Sequence, residues 1–135
     1  MRDKFWLENR MIQIKDMLFP DLELENQIIV RFKGRWKNKF GHIKLLRNKN
    51  TEIVVNGLFS NLEVPEYMID ITLAHELVHY LHGFQSPLKQ KYKHPHKGGV
   101  VKKELIKRGF GHMVCKERVF IKEKWVKLYG RLNVL

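Results

Sequence analysis

The chain has one cysteine, Cys115, and two serines, Ser60 and Ser86, in 135 residues. A lone cysteine excludes an internal disulfide and a four-cysteine zinc ribbon. Neither serine lies in a nucleophile elbow, and Cys115 has no recognisable partner setting, which argues against a serine or cysteine hydrolase. Any metal must therefore be held by histidine and carboxylate. Long apolar runs are also missing: none approaches the ~20 residues that cross a bilayer. The start, MRDKFWLENR, carries charge where a signal peptide needs its apolar segment. The expectations are no membrane partner and a cytoplasmic setting. Acidic residues are scarce too, 14 against 26 Lys+Arg, for a net charge of +12. That excess attracts polyanions over a screening length of ~8 Å at physiological salt, so DNA or RNA is the first partner to weigh against an ordinary solvated surface. The densest basic clusters, Lys33–Lys39 and Lys89–Lys97, each enclose an aromatic residue. Such interleaving suits phosphate contacts plus base stacking, at low specificity.

With 44% hydrophobic and 30% charged residues the composition is globular, and the length suits one domain over residues 1–135. No internal repeat or long linker divides it. Phe5, Leu7, Met11, Ile14 and Leu18 recur at near-helical spacing and predict an N-terminal helix closed by Phe19-Pro20-Asp21. Gln27–Phe32 reads as a strand, KGRWKNKFG as a turn or hairpin region, Gly41–Leu45 as a second strand and Thr51–Asn56 as a third. Pro65 and its flanking acids mark a helix start. Ile69, Leu73, Leu77, Tyr80 and Leu81 form one apolar stripe, and Gly83 is placed to end the helix. Phe84–His96 is a loop, and Lys97–Arg108 a further helix closed by Gly109. The tail, Val114–Leu132, is ambiguous. The sum is an α+β domain: N-terminal helix, three-stranded sheet, a central motif-bearing helix and a further C-terminal helix.

That central helix carries LAHELVHYLHG, Leu73–Gly83. Residues four apart share a helix face, so His75 and His79 can aim their imidazoles at one point. Zinc accepts neutral imidazole and, when catalytic, takes three protein ligands and a water. Glu76 is turned about 100° from His75, beside such an ion rather than on it, where it can take a proton from the water. The pattern is H-E-x-x-H. A shuffled chain of this composition would show it roughly once in forty, so its placement in an independently signalled helix is what gives it weight. A third ligand must come from elsewhere. His96, at the junction between loop and helix, is favoured over its neighbour His94 and over Glu104, while His82 suits a helix-end residue near the negative end of the dipole. Gln85 stands where a metzincin would have its third histidine, which excludes that class. For stabilising an oxyanion the candidates are Tyr92 and His112, and Thr51–Asn56 is a candidate edge for an extended substrate.

Three phrases then resemble the SprT-like zinc metallopeptidases: GHIKLLRNKNTEIVVNGLF, VPEYMIDITLAHELVHYLHG and PHKGGVVKKEL, from about Gly41 to Gly109. The resemblance implies a small zincin-like domain in which His75, His79 and His96 hold zinc and Glu76 is the general base. It further implies proteolysis of protein or peptide substrates, for some relatives proteins associated with DNA. Lys97 departs from the family's usual glycine, and Val100 or Val101 from its large aromatic. The rival reading is a basic nucleic-acid-binding module in which zinc only supports the fold.

Overall fold

The computed structural model describes residues 1–134. Helix α1 spans Lys4–Leu18, opened by Asp3, whose side chain accepts a hydrogen bond from the Trp6 N–H. It buries Leu7, Met11, Ile14 and Leu18. Phe5, counted in the apolar stripe from the sequence, points to solvent instead. Three strands follow, β1 (Ile28–Lys33), β2 (Gly41–Leu45) and β3 (Thr51–Asn56), in the spatial order β1-β3-β2. β3 pairs in parallel with β1 and antiparallel with β2. Two expectations are corrected by this order. The segment between β1 and β2 is not a hairpin, because both strands pair with β3 and not with each other. Nor can Thr51–Asn56 offer an edge: every residue of it is buried, with a neighbour on each side. The free edge beside the motif-bearing helix belongs to β2.

Helix α2, Glu66–Leu81, begins after Pro65 and ends at Gly83, whose φ of +75° and close approach to the Lys89 carbonyl leave no room for a side chain. The single stripe underestimates its environment. From Met68 to Tyr80 every residue but His75 is buried, so α2 is a central helix with neighbours all round. It packs on α1, on β2 and β3, and on two later elements, α3 (Val100–Lys107) and α4 (Gly111–Phe120). α3 starts three residues later than the sequence suggests because Gly98 and Gly99, both at positive φ, hold the chain out of the helical conformation. The ambiguous tail is helical. α4 continues through a π-helical turn at Ile121–Trp125 into α5 (Val126–Leu132), with αR backbone at both joints. Among the described residues no helix is long and apolar enough to cross a membrane.

Two arginines lock the helices together. Arg10 on α1 makes a two-point contact, 2.6 Å in each arm, with the buried carboxylate of Asp70 on α2. Arg108, at the end of α3, donates to Glu104, to the Leu18 carbonyl and to both oxygens of Asp21. Removing its guanidinium strands Glu104 in a buried position, which costs about 3 kcal/mol when a buried pair is broken from one side. Arg108→Ala is expected to lower unfolding stability by about that amount, read as a shift in the urea midpoint at unchanged slope.

Candidate active site

α2 places His75 and His79 one turn apart with ring centres 4.9 Å apart. The segment after Gly83 folds back so that the His96 ring stands 4.6 Å from that of His79, and Phe84 packs against both. Three imidazoles thus meet at the open side of α2. His94 does not join them; its carbonyl accepts the Lys97 N–H in the turn that carries His96. Glu104 is engaged elsewhere, with His82 at 3.3 Å and Arg108 at 2.9 Å. Tyr92 packs on the His82 ring, and His112 lies beside Phe110, lining a groove between α1 and the turn that leads from α3 into α4. Neither is at the three rings.

Around a zinc with Zn–N of about 2.0–2.1 Å, tetrahedrally arranged imidazoles have ring centres about 5 Å apart. The two observed spacings match that figure. Among the described residues no group of three or more His, Cys, Asp or Glu side chains is placed so that it could hold a metal ion as it stands. The donor chemistry nevertheless fits. His79 is 1% exposed, and its Nδ1 has no hydrogen-bond partner. Leaving such an atom without a partner costs about 1–3 kcal/mol, which an ion offsets only where it binds that nitrogen, and His42 and His82 carry the same unpartnered Nδ1. Burial, reinforced by the His96 charge, lowers His75 to a pKa of about 4. Burial, with His75, His96 and His82 adding to it, lowers His79 to about 3. Both are therefore neutral at pH 7, the form that coordinates a metal.

Glu76 is 5% exposed, on the adjoining face of α2. Burial pushes its pKa up to about 8, with Lys39 opposing. It lines a cavity of about 300 Å³ together with His75, with Phe40 and Gly41 at the start of β2, and with Glu117 and Ile121 from the C-terminal helix. Gly41 is needed there. A Cβ at this position would come within 2.7 Å of the Thr72 methyl and of the Val54 carbonyl, and 3.4 Å from Glu76 Oε2. The segment leading into β2 is fixed from behind: buried Asn56 donates to the Trp36 and Lys39 carbonyls, and the Trp125 indole N–H donates to that of Lys37. Glu117 and Gly41 escaped the sequence reading. A glutamate on a polar helix has the look of a solvated residue, and Gly41 looked like a strand end.

No family model, curated protein or solved structure matches the chain. The site is therefore judged on its own geometry and chemistry.

The buried groups give the protein without added metal a distinctive pH response. The unfolded chain takes up protons on His75 and His79 below about pH 6.5 while the folded chain resists down to about 4 and 3, so acid favours unfolding across that window. The carboxyls act in the opposite sense. Burial raises Glu76 to about 8 and Glu117 to about 7, so the fold keeps protons that the unfolded chain releases above about pH 4.5, and stability declines as pH rises towards 8. Chelator-treated protein is expected to be most stable at about pH 5 to 6. Urea midpoints at about pH 4, 5.5 and 8 check this, and a midpoint climbing steadily to pH 8 contradicts it.

Proposed function

We propose that the chain is a zinc-dependent metallopeptidase of the H-E-x-x-H type, a small zincin-like domain resembling the SprT-like family. The observation that carries this reading is the convergence of three buried or loop-borne imidazoles, two from one helix turn and one from 17 residues further along, beside a carboxylate that is desolvated and unpaired. In it, His75, His79 and His96 hold the ion. When bound, zinc would supply Lewis-acid polarisation of the scissile carbonyl and a water acidic enough to attack near neutral pH. Glu76 accepts the proton of the attacking water and returns it to the leaving amine. Its burial suits the second step, since a raised pKa lets the carboxyl carry a proton near pH 7, while the first step needs the ionised form that a neighbouring dication would favour.

The substrate backbone has a natural partner in β2. The Asn56 N–H donates to the Phe40 carbonyl, and the pairing alternates from there, so the main-chain groups of Gly41 and Ile43 face away from β3. Leu45 confirms the phase, its outward N–H donating to Gln85 Oε1. An extended peptide laid along Gly41–Ile43 pairs with this edge and passes Glu76. Main-chain pairing of this kind gives affinity with little dependence on sequence.

The substrates we favour are proteins associated with nucleic acid. Of the two basic clusters, Lys33–Lys39 leads directly into Phe40 and Gly41, with Lys39 over the Trp36 ring at 4.4 Å, and Lys89–Lys97 carries His96. The first cluster is thus continuous in chain with two residues that line the cavity and the second contains one of the three imidazoles, so a polyanion held by them would lie near the site. The rival, a nucleic-acid-binding module with structural zinc, leaves Glu76 without a task and wants four protein ligands. The test is direct. Zinc-loaded protein is expected to bind about one ion per chain and to cleave casein, faster with single-stranded DNA added when the substrate is itself a DNA-binding protein. One bound zinc with no cleavage under any of these conditions would favour the rival, and no bound zinc would remove both.

A further inference from the structure

The peptidase reading assigns no role to Glu117, yet this residue lines the same cavity as Glu76. It is half-buried. Among the described residues it takes part in no salt bridge and no side-chain hydrogen bond, in a chain with 26 Lys+Arg. Three of the other buried acids are matched, Asp70 by Arg10, Glu52 by Arg31 and Glu104 by Arg108; Glu76, which lines the same cavity, is the exception among the described residues. Against so positive a background, an acid that attracts none of its own chain's cations is shielded from them by the cavity it lines. A cation that arrives through the cavity meets no such barrier.

The surroundings say what kind of cation. Phe40 and Ile121 supply apolar wall, and about 300 Å³ has room for one long side chain. Lysine and arginine have that construction, an apolar stem that packs on hydrocarbon and a charged end that seeks a carboxylate. Glu76 itself is committed to the proton, and its Oε2 faces the glycine end of β2. A peptide paired along Gly41–Ile43 alternates its side chains, so one of those next to the reacting bond enters the space between β2 and the C-terminal helix.

On this basis, and resting on the peptidase reading, we propose that Glu117 is a specificity residue that receives the cationic end of a lysine or arginine adjoining the scissile bond. Basic residues are abundant in proteins that bind nucleic acid, so this preference and the proposed substrate class agree.

The experiment uses peptides blocked at both ends, so that a side chain is the only cation, in pairs differing by lysine against norleucine at positions flanking the cleaved bond. For the zinc-loaded protein kcat/KM is expected to be at least about tenfold higher for the lysine member. Glu117→Gln is expected to bring that ratio close to one, and Glu117→Lys to favour a glutamate peptide over both. Binding is measured in parallel by calorimetry on Glu76→Gln, with and without Glu117→Gln, and is expected to show the same ranking. A ratio near one in the wild type overturns the proposal, as does a loss on Glu117→Gln shared equally by both peptides, which would mark a role in the chemistry itself. Lysine-dependent binding that needs Glu117, with no cleavage, upholds Glu117 and removes the peptidase reading. Cleavage without preference does the reverse, and neither binding nor cleavage removes both.

Discussion

Glu76→Gln is expected to abolish peptide hydrolysis, by roughly 100- to 10,000-fold, which is what a positioned general base contributes. The same variant is expected to retain about one zinc per chain, because the ligand set consists of the three imidazoles and the amide is close in shape to the acid it replaces. It should also fold at least as well as the parent at about pH 8. There the parent bears the cost of ionising a carboxyl that is 5% exposed, and the neutral amide does not. Metal content, cleavage rate and urea midpoint on one preparation therefore separate loss of a catalytic group from loss of structure. Retained cleavage would remove Glu76 from the mechanism. The contrasting variant, His79→Ala, is expected to lose the metal and the activity together.

Trp125→Ala carries the largest expected effect on folding, about 3–5 kcal/mol, against a total of about 5–15 kcal/mol for a typical domain. The indole is 2% exposed. It sits edge-on to Phe40 and Phe59, tilted against Phe120 and Tyr129, and its N–H donates to the Lys37 carbonyl at 2.7 Å. Truncation empties the centre of that cluster and frees both the C-terminal helix and the strand approach it holds. The consequence reaches the site, since Phe40, Glu117 and Ile121 are walls of the cavity beside Glu76. Faster amide exchange over residues 111–132 and 36–41 is the expected readout, alongside the lowered urea midpoint. Trp125→Phe keeps ring packing and loses one hydrogen bond, so its cost is expected to be nearer 1 kcal/mol. Equal midpoints for Trp125→Ala and the parent would show that the tail is not part of the cooperative unit.

How the tail escaped sequence analysis follows from the same residue. Phe120 and Trp125 are five apart and both buried, with ring centres 6.4 Å apart. In an α-helix, residues at that spacing point well away from each other. The π turn at Ile121–Trp125 widens the helix by a residue and brings both into one core. The apolar pattern therefore has no 3.6-residue period to detect. A tertiary demand, filling the space between Phe40 and Phe59, overrides the helical period locally.

What the sequence alone determined was whatever depends on neighbours within a turn or two. The start of α2 at Pro65, its end at Gly83, the three strand segments and the stacking of His75 over His79 all follow from local geometry. Whatever depends on which distant surfaces meet was decided by the tertiary structure. β3 became the central strand, because two other strands compete for it and alternation within a strand says nothing about its partners. For the same reason β2 became the free edge, and α2 was buried on all sides rather than along one stripe. The approach of His96 to the pair depends on the course of a glycine- and proline-bearing loop, and the meeting of Glu117 and Glu76 at one cavity spans 41 positions of chain. Such contacts have no local signature, since the free energy that fixes them comes from burying faces against one another and not from the conformational preferences of the residues themselves.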